Sequence, residues 1–197
     1  MSLRRTLGIG LLAALLAPSP ATADGLIVPF VGVNFGGDSG KELSTALDAK
    51  RFNWGASVAY MGGGVLGLEG DIGYSPDFFG KSDIGGSSVL TVTGNLLFGI
   101  PFGGQKGFGI RPYALVGVGV IRSDVKVLGD LLPFEKSEAA WDFGGGVMLF
   151  FGTNVGLRAD LRYFRTFGGV DFGLLDLIDG SRTVDFARGS AGVVLRF

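Results

Sequence analysis

Apolar and polar side chains alternate with a period of two along most of the chain, the mark of strands with two unlike faces. In 155 to 166, Val155, Leu157, Ala159, Leu161 and Tyr163 fall on one face, and Arg158, Asp160 and Arg162 on the other. In 65 to 75, Leu66, Leu68, Ile72 and Tyr74 oppose Glu69 and Asp71; in 51 to 61, Trp54, Ala56, Val58 and Tyr60 oppose Asn53 and Ser57. Extended over the chain, the pattern predicts eight strands, at 25 to 36, 51 to 61, 65 to 75, 87 to 100, 108 to 122, 139 to 151, 155 to 166 and 183 to 197. The connections between them hold 14, 3, 11, 7, 16, 3 and 16 residues, so long and short ones alternate.

Tight turns on one side and long loops on the other describe an antiparallel up-and-down meander. That bias is the layout of a transmembrane β-barrel of the outer-membrane type, with short turns facing the periplasm. An even strand count puts both termini on the turn side, and the loops 37 to 50, 76 to 86, 123 to 138 and 167 to 182 outside. The competing helical reading rests on Ile84 to Gln105, 22 residues without a charge. Ser87, Ser88, Thr91, Thr93, Asn95, Pro101 and several Gly make it a poor helix in either solvent. At period two the same stretch separates cleanly, with Leu90, Val92, Leu96, Phe98 and Ile100 opposite Thr91, Thr93 and Asn95.

The face that carries the charges decides what the barrel is dissolved in, because a soluble barrel turns polar residues outward and a lipid-embedded one turns them in. Here the charged face mixes a few charges with Gly67, Gly73, Gly144, Gly146, Gly156 and Gly192, the composition of a crowded interior. The inward set on this register is Glu69, Asp71, Asp142 and Asp160 against Arg158, Arg162, Arg188 and Arg196. An unpaired buried charge costs several kcal/mol, so a matched set predicts a packed ion-pair core in a lumen that eight strands leave just wide enough for side chains. On the outward face, Trp54, Tyr74, Trp141 and Tyr163 lie near the loop ends, and Tyr60, Phe98, Phe151 and Phe197 near the turn ends. Two such rings are the expected girdles at the membrane interfaces.

Composition adds exclusions. Among 197 residues there are 37 Gly, no Cys and no His, with 47% hydrophobic and 18% charged residues. Without Cys there is no disulfide, a zinc site would have to be built from carboxylates alone, which structural zinc rarely is, and Ser/His or Cys/His catalysis has no parts. No catalytic, cofactor-binding or metal residue is expected. Arg4 and Arg5 precede an apolar run from Leu7 to Ala17, then Pro18, Pro20 and Ala21-Thr22-Ala23, the layout of a secretory signal peptide over 1 to 23 with cleavage before Asp24. The barrel domain is then 24 to 197. Loss of Arg4 and Arg5 leaves 15 basic residues against 18 acidic ones, a net charge of −3, which is no footprint for nucleic acid.

The runs RPYALVGVGV (111 to 120), WDFGGGVMLF (141 to 150), VGLRADLRYF (155 to 164) and the terminal GVVLRF (192 to 197) resemble the OmpA/OmpX-like family of small eight-stranded outer-membrane β-barrels of Gram-negative bacteria. The resemblance implies an outer-membrane location, surroundings of bilayer and lipopolysaccharide, and recognition of the last strand by the barrel assembly machinery. Phe197, with Leu195, Val193 and Ala191 at alternate positions before it, fits that signal, though Leu195 stands where the family often has Tyr. Barrels resembling the outer-membrane lipid A enzymes, phospholipase and omptin protease depend on His, so the resemblance implies a protein that is not an enzyme. A monomer is expected.

Loops 123 to 138 and 167 to 182 are unexpectedly apolar, with Leu128, Leu131, Leu132 and Phe134 in one and DFGLLDLIDG in the other. They either cap the barrel mouth or present a surface to a ligand. Two functional classes stay open: a structural or interaction protein that displays loops on a packed barrel, and a narrow channel or lateral gate for small or apolar solutes.

Overall fold

The computed structural model describes residues 24–35, 52–63, 65–76, 87–103, 107–127, 132–171 and 185–197. The strands are β1 (Asp24–Phe35), β2 (Phe52–Gly62), β3 (Leu66–Pro76), β4 (Ser87–Gly99), the two-residue β5 (Phe102–Gly103), β6 (Gly109–Val127), β7 (Leu132–Phe150), β8 (Val155–Asp171) and β9 (Asp185–Arg196). The eight long strands pair antiparallel in chain order, β4 with β6 past the short β5. β9 returns to pair with β1, where Gly25 and Phe197 exchange main-chain hydrogen bonds of 3.1 and 3.0 Å. The sheet is closed and all-β, with no edge left unpaired around the barrel wall, which lipid requires because it cannot satisfy a bare strand.

The faces fall as the alternation predicts. Outward on β3, β6 and β8, Leu68, Val118 and Leu161 are 64%, 62% and 54% exposed, while inward Glu69 and Arg162 are 3% and 2% exposed. Gly73 shows why the inward face needs small residues. A Cβ there would stand 2.5 Å from Arg188 Nη1 and 2.8 Å from Thr91 Oγ1.

Two expectations need correction. The connection 123 to 138 is mostly strand: Ser123 pairs with Lys136, and the ladder continues to Val127 opposite Leu132. β8 likewise extends to Asp171, past a register irregularity opposite Glu138 and Ala140. The chain there lacks a clear period-two alternation, and the strand shows only in the backbone ladder. The predicted signal peptide 1 to 23 and the loop 37 to 50 lie outside the described residues, as do 77 to 86 and 172 to 182.

The second correction concerns the lumen, which is not ionic throughout. Toward the turns it is filled by Leu26, Val28, Met61, Leu97, Leu115 and Phe150 with their neighbours, and toward the loops by Val89, Ile121, Ala140, Phe164 and Phe186. The charged residues form a layer between these two apolar plugs. Their apolar side chains escaped the sequence pattern because strands such as β1 and β6 are apolar on both faces.

Candidate functional site

The ionic layer joins opposite walls of the barrel. β3 and β8 are four strands apart in the ring, and β8 supplies Arg158 and Arg162 while β3 supplies Glu69 and Asp71. Arg158 bonds Glu69 through Nη1 and Asp160 through Nε, the latter at 2.8 Å. Arg162 Nη2 lies 2.8 Å from Glu69 Oε1 and 3.3 Å from Asp160 Oδ2, and its Nη1 lies 3.5 Å from Asp71 Oδ2. Arg188 of β9 reaches Asp71 Oδ1 at 2.7 Å. Neutral partners complete the layer: Tyr113 and Ser190 donate to Asp160 at 2.8 and 2.7 Å, and Asn95 donates to Glu69 at 3.1 Å. Arg158 also stacks on Tyr113, and Arg188 lies over both Phe30 and Phe164. Aromatic faces thus carry the guanidiniums at the junction between ionic and apolar layers.

Six of the eight residues expected in this network are joined in it; Asp142 and Arg196 are not. Arg196 sits at the turn end, where it donates to the main-chain carbonyls of Gly152 and Thr153 and lies over the Phe150 ring. Asp142 is fully buried, and neither of its oxygens accepts a hydrogen bond from a described residue. Strand parity alone could place both side chains inside, but partners across the lumen depend on the barrel's stagger, which parity does not reveal. Arg111 was missed. It is 4% exposed and pairs with Asp24 on the opposite wall at 2.8 Å. The signal that would have found it is the run of Gly109, Gly117 and Gly119 at its own parity, since Gly marks the inward face elsewhere.

Counting Asp142, which is buried at the same depth although no hydrogen bond joins it to the network, this level of the lumen holds Arg158, Arg162 and Arg188 against Glu69, Asp71, Asp142 and Asp160, an excess of one carboxylate. A buried charge with no bonded partner destabilises the fold. Asp142→Asn keeps the shape and removes the charge, so the barrel gains at least about 1 kcal/mol at neutral pH. Urea unfolding of the refolded protein in detergent measures this. A lower midpoint for the variant would mean that the carboxylate is a needed counter-charge for Arg162 and Arg188.

On the outer wall, Trp54, Tyr60, Phe98, Phe151 and Phe197 are exposed. Tyr74, Trp141 and Tyr163 are half-buried against other rings. Trp54 meets Tyr74 edge-on at 5.7 Å, and Trp141, Phe143 and Tyr163 form a cluster with centroids 5.5 to 6.1 Å apart. Ala191, Val193, Leu195 and Phe197 share the outward face of the closing strand.

A closed meander with aliphatic residues outside, aromatic residues toward both rims and charges sealed within is an integral β-barrel of the outer membrane. The chain belongs to the Outer membrane protein beta-barrel domain family, which it matches over residues 9–197. Among solved structures it is similar to Neisserial surface protein A, with a TM-score of 0.61 and 18% identity over 89% of this chain and 99% of that one. It is also similar to Ail, the attachment invasion locus protein of Yersinia pestis, with a TM-score of 0.53 and 16% identity over 90% of this chain and 99% of that one. At these identities the likeness is one of fold. A search of curated protein sequences gives no match.

Proposed function

We propose that the protein is a non-enzymatic outer-membrane barrel whose wall and lumen are structural and whose function lies in the loops it holds at the cell surface. The observation that carries this reading is the filled lumen, in which an ion-paired layer spanning opposite walls is closed above and below by apolar side chains. Ions crossing it would have to break these pairs and pass the packed apolar side chains on either side. In planar bilayers the purified barrel gives no steady conductance on the porin scale. A stable open level would overturn the reading in favour of a narrow channel.

The absence of His and Cys from the whole sequence supports a role without catalysis. The bilayer and lipopolysaccharide surround a monomer, the eight aromatic residues anchor it at the two interfaces, and the chain is exported by a cleaved signal peptide. Phe197, 72% exposed on the closing strand, is presented for recognition by the assembly machinery together with Ala191, Val193 and Leu195. Deleting Phe197 sharply lowers the folded, heat-modifiable fraction in cells while leaving refolding into detergent largely intact. Equal loss in both settings would make Phe197 a stability residue instead. The surface ligand site is assigned to the segments 123 to 138 and 167 to 182, the first of which the β6–β7 ladder lifts beyond the end of the β4 pairing at Val125.

A further inference from the structure

The outer wall is not evenly filled between its two aromatic rims. On β7, β8 and β9 it is hollowed by a groove of about 390 Å³, floored by Ala159 and Ala191, which lie directly opposite each other in the β8–β9 ladder. Val147 and Leu149 of β7 flank this floor, and the pair Leu157 and Val193 stands beside it toward the turns. Toward the loops the lining stops short of Leu161, the next outward residue of β8. Beyond Leu161, Tyr163 joins the ring cluster with Trp141 and Phe143.

The groove has an approach from the turn end. Outward positions run Val155, Leu157, Ala159 on β8 and Leu195, Val193, Ala191 on β9, so the side chains shorten with distance from the turns. Phe151, whose main chain bonds Val155, and Phe197, two residues beyond Leu195, are exposed on either side of that approach. An unfilled hollow forfeits the dispersion contacts of the atoms that line it. This one is continuous with the wall that faces hydrocarbon, so its occupant comes from the bilayer. There the hydrophobic effect does not distinguish lipid from protein, and closeness of packing decides. A slim chain can bend into the hollow, whereas a second copy related by a two-fold axis through the groove would set hollow against hollow.

We propose that this groove binds one acyl chain of a phospholipid of the periplasmic leaflet, the leaflet on the side of the turns. The chain enters between Phe151 and Phe197, passes Val155 and Leu195, and lies over Ala159 and Ala191. The barrel thus holds one lipid of its surroundings at a fixed place on its wall, independently of anything its surface loops bind.

The full barrel, deuterated except for its Ala, Val and Leu methyl groups, is placed in nanodiscs of phosphatidylethanolamine and phosphatidylglycerol. Cross-peaks between lipid protons and protein methyls are the readout. Ala159 and Ala191 give stronger lipid cross-peaks than Ala56 and Ala114, which face outward on β2 and β6 away from the groove. Methylenes near the ester carbonyl reach Val155 and Leu195, and those farther along the chain reach Ala159 and Ala191. Ala159→Leu fills the floor, so the excess at Ala191 is lost while Ala56 and Ala114 are unchanged; Ala191→Leu does the same to Ala159. Heat-modifiable migration verifies the fold of each variant, and if neither refolds, the comparison of the four alanines in the unaltered barrel carries the test. Equal lipid cross-peaks at all four alanines overturn the site. The terminal methyl of the chain at Val155 and Leu195 overturns the leaflet. Cross-peaks at Ala159 between two differently labelled copies, in place of those to lipid, overturn the lipid in favour of a dimer.

Discussion

Arg162→Ala lowers the unfolding free energy of the barrel by about 3 to 5 kcal/mol, the loss expected when one partner leaves a buried ion pair. Arg162 is 2% exposed and reaches three carboxylates, Glu69, Asp71 and Asp160. Removing it leaves two arginines against four carboxylates in a layer that neither water nor lipid enters freely. Asp71 keeps Arg188 and Glu69 keeps Arg158, so the damage is to charge balance more than to every bond at once. The test includes the partner: Arg162→Ala combined with Glu69→Gln recovers part of the loss, because the pair is removed along with its excess charge. Urea midpoints for the single and double variants in the same detergent measure the coupling. Additive losses would mean that the arginine matters for packing alone.

Leu161→Arg, one residue away, has a similar size for a different reason. Leu161 points outward in the middle of β8 and is 54% exposed, an arrangement that would be unremarkable for arginine on a water-soluble protein. In a bilayer the same substitution costs about 2 to 4 kcal/mol near the midplane, and less toward the interfaces. Tyr163, two residues along the same face, joins the aromatic cluster at the loop side, and Tyr163→Arg therefore costs less than Leu161→Arg. Stability of the variants folded into vesicles gives the comparison. A neutral Leu161→Arg would show that this face is not against hydrocarbon.

These adjacent residues also show how much the sequence discloses. β8 could be read without a structure because Arg158, Asp160 and Arg162 interrupt an otherwise apolar run at every second place, and a barrel wall between lipid and a polar interior demands that. β6 could be read as a strand but not by its faces, because Leu115 and Ile121 fill apolar parts of the lumen while Val116, Val118 and Val120 face outward. Where the two solvents are alike, alternation carries no information, and Arg111 was overlooked on that account. Pairing across the barrel was equally hidden. Arg188 and Asp71 are 117 residues apart and meet because of strand number and stagger, properties of the closed sheet as a whole. The β6–β7 hairpin beyond Arg122 was hidden for another reason, that residues 123 to 138 show no sustained alternation although their backbone forms a ladder.

The order of layers in the lumen has a consequence for how the outer membrane stays tight. The apolar plug at the turns, the ionic layer and the apolar plug at the loops lie one behind another along the barrel axis, so they oppose leakage like resistors in series. Thinning one of them leaves the other two to set the total. On the proposed structural reading, a substitution confined to one layer leaves the other two across the path, so a conducting variant is expected only when more than one depth is damaged.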